Sequence, residues 1–173
     1  MTAVIPEPGD FACVSVHGAG GRLIHLVEDL DGAIWDMYQH VELYVGGGQV
    51  VEAEPGGART RDLRAYVTPG QLTLWSTGRI HLTAAQRDAI VTAAFGYIGT
   101  PYSWLDYAAI AAHRLRLPLP GLRAYVASTH HQICSQLIDQ CFADAGVHLF
   151  EDGRWPGFVT PADLAGLIEE APA

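Results

Sequence analysis

One segment, running from position 40 to position 54, limits what this chain can fold into more than any other. Val41, Leu43 and Val45 alternate with polar residues, which is the period of a half-buried β-strand. Gly46–Gly48 follow directly, and glycine tolerates the positive φ that a tight turn needs. The residues Val50–Glu54 form a return strand. The segment therefore predicts an antiparallel hairpin with one apolar and one polar face.

The length of the turn decides which acid faces His40. If the three glycines alone form the loop, His40 lies opposite Glu54 and diagonal to Glu52, because opposed residues in an antiparallel pair share a face. A five-residue loop would place Glu52 directly opposite His40. A two-residue loop would turn Glu52 onto the apolar face, which is unfavourable for a carboxylate. Glu52 and Glu54 are both candidates to support the imidazole, and Glu42 shares their face.

A second informative segment is an apolar stripe that begins at Cys134 and predicts a helix. Ser128 or Thr129 is the expected N-cap, the helix runs to about Ala145, and Gly146 suits its C-terminal cap. The stripe continues at helical spacing through Leu137, Ile138, Cys141, Phe142 and Ala145.

The three cysteines differ in their positions along these elements. Cys141 lies mid-helix among apolar residues and is expected in the core, and Cys13 alternates with apolar neighbours in a strand and is expected to be structural. Cys134 lies in the first turns of its helix, where the helix dipole favours a thiolate. A thiol, an imidazole and a carboxylate are the parts of a cysteine nucleophile and its base. The stripe alone, however, fits a core cysteine equally well.

The remaining elements predict an α+β chain that forms a single domain over residues 1–173. Thr83 with Gln86 forms a capping box for a helix that runs to about Tyr97, and Thr160 followed by Pro161 starts a last short helix. Arg61–Tyr66 is interpreted as a connecting segment. Further strands are expected at residues 11–16 and 71–75, and further helices at about 22–30 and 107–113.

Composition excludes several classes of function. The net charge is −9 and the arginines are scattered along the chain, which argues against nucleic acid as the main partner. Three widely spaced cysteines make neither a disulfide scaffold nor a paired zinc site, and His130-His131 with Cys134 is a poor metal set. No metal or cofactor is expected. The first residues lack the pattern of a signal peptide, and no apolar run is long enough to span a membrane.

Several segments together resemble the NlpC/P60 superfamily in its circularly permuted, papain-like branch, in which the histidine precedes the cysteine. They follow the family's order and cover most of the chain. The matching segments are Pro8-Gly9-Asp10, His40 with the glycines and Val50-Val51-Glu52-Ala53, Gly99-Thr100-Pro101-Tyr102, Ile133-Cys134-Ser135-Gln136-Leu137 and Val159-Thr160-Pro161-Ala162-Asp163-Leu164.

The resemblance implies roles for individual residues. Cys134 would be the nucleophile, His40 the base and Glu52, on the strand after the histidine, the third polar residue in preference to Glu54. It also implies a small antiparallel sheet packed against the cysteine helix. Glu42 departs from the pattern of relatives, which often have an aliphatic residue there. Tyr102, Trp104 and His131 are candidate substrate-binding residues.

The resemblance further implies a cysteine peptidase or amidase that cleaves peptidoglycan stem peptides through a thioester. Permuted relatives also include lipid and other acyl hydrolases and acyltransferases, and a non-catalytic structural or binding component with the same fold is the alternative of another class. Without a signal peptide, the chain is expected in the cytoplasm as synthesised. An enzyme acting on the cell wall would then need a non-Sec route, such as a phage particle or tail, as part of a larger assembly.

Overall fold

A computed structural model describes residues 4–16, 37–66, 71–103, 132–154 and 158–170. These residues form an α+β structure in which one five-stranded antiparallel sheet packs against three helices. The strands are β1 (Phe11–Val14), β2 (His40–Gly46), β3 (Gln49–Glu54), β4 (Gly57–Asp62) and β5 (Thr73–Trp75), in the spatial order β4-β3-β2-β1-β5. The helices are α1 (Ala84–Gly96), α2 (Cys134–Asp144) and α3 (Pro161–Glu170), and a 3₁₀ turn covers Leu63–Tyr66.

The β2–β3 hairpin has the register that a three-glycine loop predicts, although it reaches that register differently. Gly46 pairs with Gln49, so the turn itself has only two residues, and a bulge at Val45 then shifts the pairing. The bulge adds one residue to β2, which returns Glu42 to a position directly opposite Glu52. Gly46, Gly47 and Gly48 all have positive φ. A two-residue turn therefore does not carry Glu52 onto the apolar face.

The strand β4 is absent from the sequence prediction, which ended the preceding strand at Glu54 and treated Arg61–Tyr66 as a connection. β4 pairs with β3 along its length, with Glu52 opposite Arg59 and Val50 opposite Arg61. It contains few apolar residues because it lies at the edge of the sheet, where polar residues are favoured. Hydrophobic alternation therefore does not reveal it.

The apolar face of the sheet packs against the helices. Val41 and Leu43 of β2 and Val51 of β3 lie on this face and are fully buried. The rings of Phe11 in β1 and Phe142 in α2 meet edge-to-face at 5.7 Å, which joins the sheet to the cysteine helix. This core fixes α2 against the hairpin.

The helix N-termini agree with the predicted N-caps in two of three cases. Thr83 and Gln86 form the capping box of α1, and Thr160 precedes Pro161 at the start of α3. The expected cap of the cysteine helix at Ser128 or Thr129 is wrong, because α2 begins at Cys134 and its N-cap is Ile133. At the other end of α2, Gly146 follows the C-cap with a φ of +73°, as predicted.

The predicted helices at about 22–30 and 107–113 lie outside the described residues, as do Ser128 and Thr129. None of the helices in the described ranges is both long enough and apolar enough to cross a bilayer.

Candidate functional site

The imidazole of His40 bonds to the carboxylate of Glu52. His40 Nε2 lies 2.9 Å from Glu52 Oε2, and both side chains are almost completely buried. The register places Glu54, not Glu52, in line with His40, but a long side chain reaches a diagonal neighbour easily. Of the two acids that the sequence left open, the structure therefore joins Glu52 to the histidine.

The thiol of Cys134 hydrogen-bonds to the same imidazole. Glu52 engages the Nε2 atom of this ring, so Cys134 and Glu52 both interact with the same imidazole. Cys134 is the first residue of α2, so its side chain lies at the positive end of the helix dipole. The Oε1 atom of Gln136 accepts a hydrogen bond from the Ile133 backbone N–H at 2.9 Å and fixes the start of the helix. The fold thus brings the start of the helix next to the hairpin, although the two are far apart in the sequence.

Electrostatics favour a charged form of His40. Burial alone lowers the pKa of this imidazole, but interaction with Cys134, a hydrogen bond to Cys134 and then the hydrogen bond and charge of Glu52 raise it to about 10. The attraction between thiolate and imidazolium is mutual, so a protonated His40 also favours the thiolate. The arrangement therefore favours an ion pair between a nucleophilic sulfur and a proton donor.

Two arginines of β4 complete the site, and sequence reasoning missed both. Glu52 Oε1 lies 3.2 Å from Arg59 Nε and 2.7 Å from Arg61 Nε. The Nη2 atoms of both arginines contact Glu54 Oε2, and for Arg61 this distance is 2.9 Å. Each arginine therefore bridges both acids, and it holds the Glu52 oxygen that the histidine does not use. Alternating Arg59 and Arg61 within a Gly-Ala-Arg-Thr-Arg-Asp segment was the available signal, but it required the edge strand to be recognised first.

Glu42 also lies on this face and is buried, and none of the arginines in the described residues is bonded to it. Burial is the largest effect and raises the pKa of its carboxyl to about 7. The neighbouring cations His40 and Arg61 lower this pKa, and the acids Glu52 and Glu54 raise it. Its Oε2 atom has no hydrogen-bond partner among the described residues. This acid was noted in the sequence only as a departure from the family pattern.

The other two cysteines are buried away from the imidazole, as their positions in the sequence predict. Cys141 lies in the apolar core, where burial and then the charge of Asp144 raise the pKa of its thiol. The sulfur of Cys13 lies 3.8 Å from the carbonyl oxygen of Pro161. Neither environment favours a thiolate.

Of the three candidate substrate-binding residues, the structure describes Tyr102. Tyr102 forms an isolated parallel bridge with Gln132, two residues before Cys134, and is partly buried against the core. The segment that contains Tyr102 is thereby placed beside the start of α2. Trp104 and His131 lie outside the described residues.

Metal binding has one geometric candidate within the described ranges. Ligand atoms of His40, Glu52 and Glu54 lie within 4.8 Å of one another. The two carboxylates already contact the guanidinium groups of Arg59 and Arg61, and a divalent ion would have to compete with both. The set is better described as a charge network built on arginine.

Sequence comparison with known proteins adds no relative. No family model matches the chain, and no curated protein is significantly similar to it in sequence. The chemistry of the site is therefore argued from its own geometry: a sulfur, an imidazole and a carboxylate bonded in series, which can generate a nucleophile and return a proton to a leaving group.

Proposed function

We propose that this protein is a cysteine hydrolase of the permuted papain-like fold, with Cys134 as nucleophile, His40 as general acid and base, and Glu52 as the residue that orients the imidazole. The observation that carries the proposal is the unbroken hydrogen-bonded series from Cys134 through His40 to Glu52. A core cysteine requires no such partners, whereas a nucleophile requires all of them.

The reaction begins from the thiolate–imidazolium pair. The sulfur attacks an amide carbonyl and forms a tetrahedral oxyanion, which lies near the positive end of α2. His40 then gives its proton to the leaving nitrogen as the carbon–nitrogen bond breaks, and a thioester remains on Cys134. Water attacks this thioester while His40 takes a proton from it. Collapse breaks the carbon–sulfur bond, releases the acid and restores the ion pair.

Glu52 keeps the imidazole in the orientation that these steps need. Its bond to Nε2 fixes the orientation of the ring and stabilises the imidazolium. Arg59 and Arg61 hold the other oxygen of Glu52, so the carboxylate cannot rotate away without losing both contacts. General acid–base catalysis by such a histidine contributes on the order of 10²–10⁴-fold to the rate.

The substrate class rests on the family resemblance. We propose that the substrate is a peptidoglycan stem peptide, which the protein cleaves as an endopeptidase or amidase. We also propose that the protein belongs to a phage particle or tail, which brings it to the cell wall. Acyl transfer or hydrolysis on lipids uses the same thioester chemistry, so the test has to include both substrates. A binding or structural component with the same fold would release product from neither.

The test is the replacement of Cys134 by serine, with purified sacculi and phospholipid vesicles as alternative substrates and mass spectrometry of the released fragments. Cys134→Ser should abolish release, because a serine hydroxyl does not form the ion pair with His40. Cys141→Ser is the matched control. It makes the same atomic change on the same stripe of α2, about two helical turns further along, and should leave the rate per folded molecule unchanged.

The outcomes separate the alternatives. Release from sacculi alone supports the peptidase or amidase, and release from vesicles alone supports the acyl hydrolase. Turnover that survives Cys134→Ser, or the absence of turnover on both substrates by the wild-type protein, counts against the proposed enzyme.

A further inference from the structure

Glu42 is a buried acid that the mechanism above does not use. It lies two residues after His40 in β2, so both side chains are on the same face of the sheet, and it pairs directly across the hairpin with Glu52. Only 1% of its surface is exposed. Its Oε2 atom has no hydrogen-bond partner among the described residues. Buried carboxyl groups are normally partnered, so this exception needs a physical reason.

The two facing acids are treated differently by the rest of the site. Glu52 receives a bond from His40 and contacts from Arg59 and Arg61, which also contact Glu54. Two anions, Glu52 and Glu54, are therefore matched by two arginines, and the thiolate of Cys134 is matched by the imidazolium. Among the described residues, an ionised Glu42 would be an additional anion in this buried cluster, and the imidazolium is the largest charge that offsets it.

The charged groups that face Glu42 come from three strands. His40 lies on its own strand, Glu52 and Glu54 lie on β3, and Arg61 lies on β4. Burial raises the pKa of Glu42 to about 7 and the imidazolium works against that rise, with smaller contributions from the other three groups. The opposite strand β1 presents Ala12 at this point of the ladder, which carries no charge. His40 is thus the largest of the charge effects on Glu42.

We propose that Glu42 is a positioning residue that acts through His40, as a second counter-ion that is ionised only while the imidazole is charged and that carries a proton when the imidazole is neutral. The inference rests on the proposed function, since it assigns the change in imidazole charge to the catalytic cycle. Glu42 exchanges its proton with solvent and forms no bond to the substrate.

The physical basis is that the attraction between two opposite charges acts on both. If the imidazolium favours ionised Glu42, then ionised Glu42 favours the imidazolium by the same factor. When His40 gives its proton to the leaving group, this attraction disappears and the buried carboxyl binds a proton more firmly. The charge of Glu42 thereby follows the charge of the imidazole.

The experiment is an NMR titration of His40 in the full chain, in which the ¹⁵N shifts of the imidazole report its charge as a function of pH. The His40 signals are assigned by their absence in His40→Gln. In Glu42→Gln, the midpoint of His40 should fall by about half to one pH unit, a loss of proton affinity of roughly three- to tenfold. Glutamine has the shape of the protonated acid, so this variant should fold.

Glu54→Gln is the matched control because it removes an acid of the same cluster that is held by both arginines. It should move the midpoint of His40 less than Glu42→Gln does. The reciprocal measurement follows the Glu42 carboxyl by ¹³C NMR: its midpoint should lie near neutral pH in the wild-type protein and higher in His40→Gln.

An unchanged His40 midpoint in Glu42→Gln, a shift no larger than that in Glu54→Gln, or a Glu42 midpoint at the ordinary value of a carboxyl would overturn the inference. The titrations need no substrate. Their failure is therefore distinguishable from a failure of the proposed hydrolase, which is judged on fragment release alone.

Discussion

The two faces of the β2–β3 hairpin are equally buried but are held by different forces. On one face, Val41, Leu43 and Val51 are fully buried against the helices. On the other, His40 and Glu52 are almost as inaccessible, yet they are held by a hydrogen bond and by contacts to two arginines. Burial therefore does not distinguish the core from the candidate site in this protein. The partners of each buried side chain do.

The two cysteines of α2 show the same contrast on a single helix. Cys134 and Cys141 both lie on the buried stripe and neither has exposed surface. Cys134 bonds to an imidazole, whereas Cys141 is surrounded by apolar side chains and lies near Asp144. The apolar stripe in the sequence describes both correctly as buried and gives no sign of their different chemistry.

The largest expected effects come from one substitution on each face of the hairpin, and they should differ in kind. His40→Ala should lower the rate by at least about 10²–10⁴-fold, because it removes the base and the proton donor together. Leu43→Ala should lower the free energy of unfolding by about 2–5 kcal/mol, because it leaves a cavity in the core. Its rate per folded molecule should stay near that of the wild type. Fragment release and urea denaturation of both variants provide the measurements.

The comparison fails if the effects do not separate. A Leu43→Ala protein that is fully folded but inactive would mean that the apolar face sets the geometry of the site directly. A His40→Ala protein with wild-type turnover would remove the polar face from the chemistry.

The next effect distinguishes the two acids on the return strand. Glu52→Gln should reduce the rate by at least about tenfold, because the neutral amide no longer stabilises the imidazolium at Nε2. Glu54→Gln should reduce it by less than about threefold, since Glu54 contacts the arginines and not the imidazole. Rates of fragment release at a pH where the wild type is fully active check this difference. Equal losses in both variants would show that the arginine network, and not Glu52 alone, supports the histidine.

The last expected effect concerns the stability of the polar face as a function of pH, and it is measured as a free energy and not as a rate. The pKa of Glu42 is raised to about 7 in the folded protein from an ordinary value of 4.5, so the folded state holds this proton more tightly than the unfolded state. Wild-type stability should therefore fall as the pH rises from about 4.5 to about 7, and this contribution should be constant above that range. The full loss is of the order of 3 kcal/mol.

Glu42→Gln cannot ionise and should lack this loss. The difference in free energy of unfolding between the variant and the wild type, measured by urea denaturation at several pH values, should therefore shift in favour of the variant across the same interval. A constant difference over that interval would contradict the assignment of a raised pKa to Glu42.

The local elements of this fold could be predicted from the sequence because each depends on neighbours in the chain. Alternation and three glycines predict the hairpin, and the register that follows from a three-glycine loop is the one observed. The caps at Thr83 and Thr160 depend on side chains within three residues. The edge strand β4 could not be predicted this way, because its polar composition carries no apolar period and only pairing with β3 defines it.

The candidate site could be predicted only in part from the sequence. The sequence by itself determined that His40 shares a face with Glu42 and that Glu52 shares a face with Glu54, since side chains alternate along a strand. The cost of placing a carboxylate among apolar residues favoured one common face for all four. Only the tertiary structure decided that Cys134 meets His40, that Glu52 reaches the imidazole diagonally, and that Arg59 and Arg61 hold its other oxygen. Those contacts join the cysteine helix and the edge strand to the hairpin. They exist because core packing and strand pairing bring distant segments together, which no local pattern records.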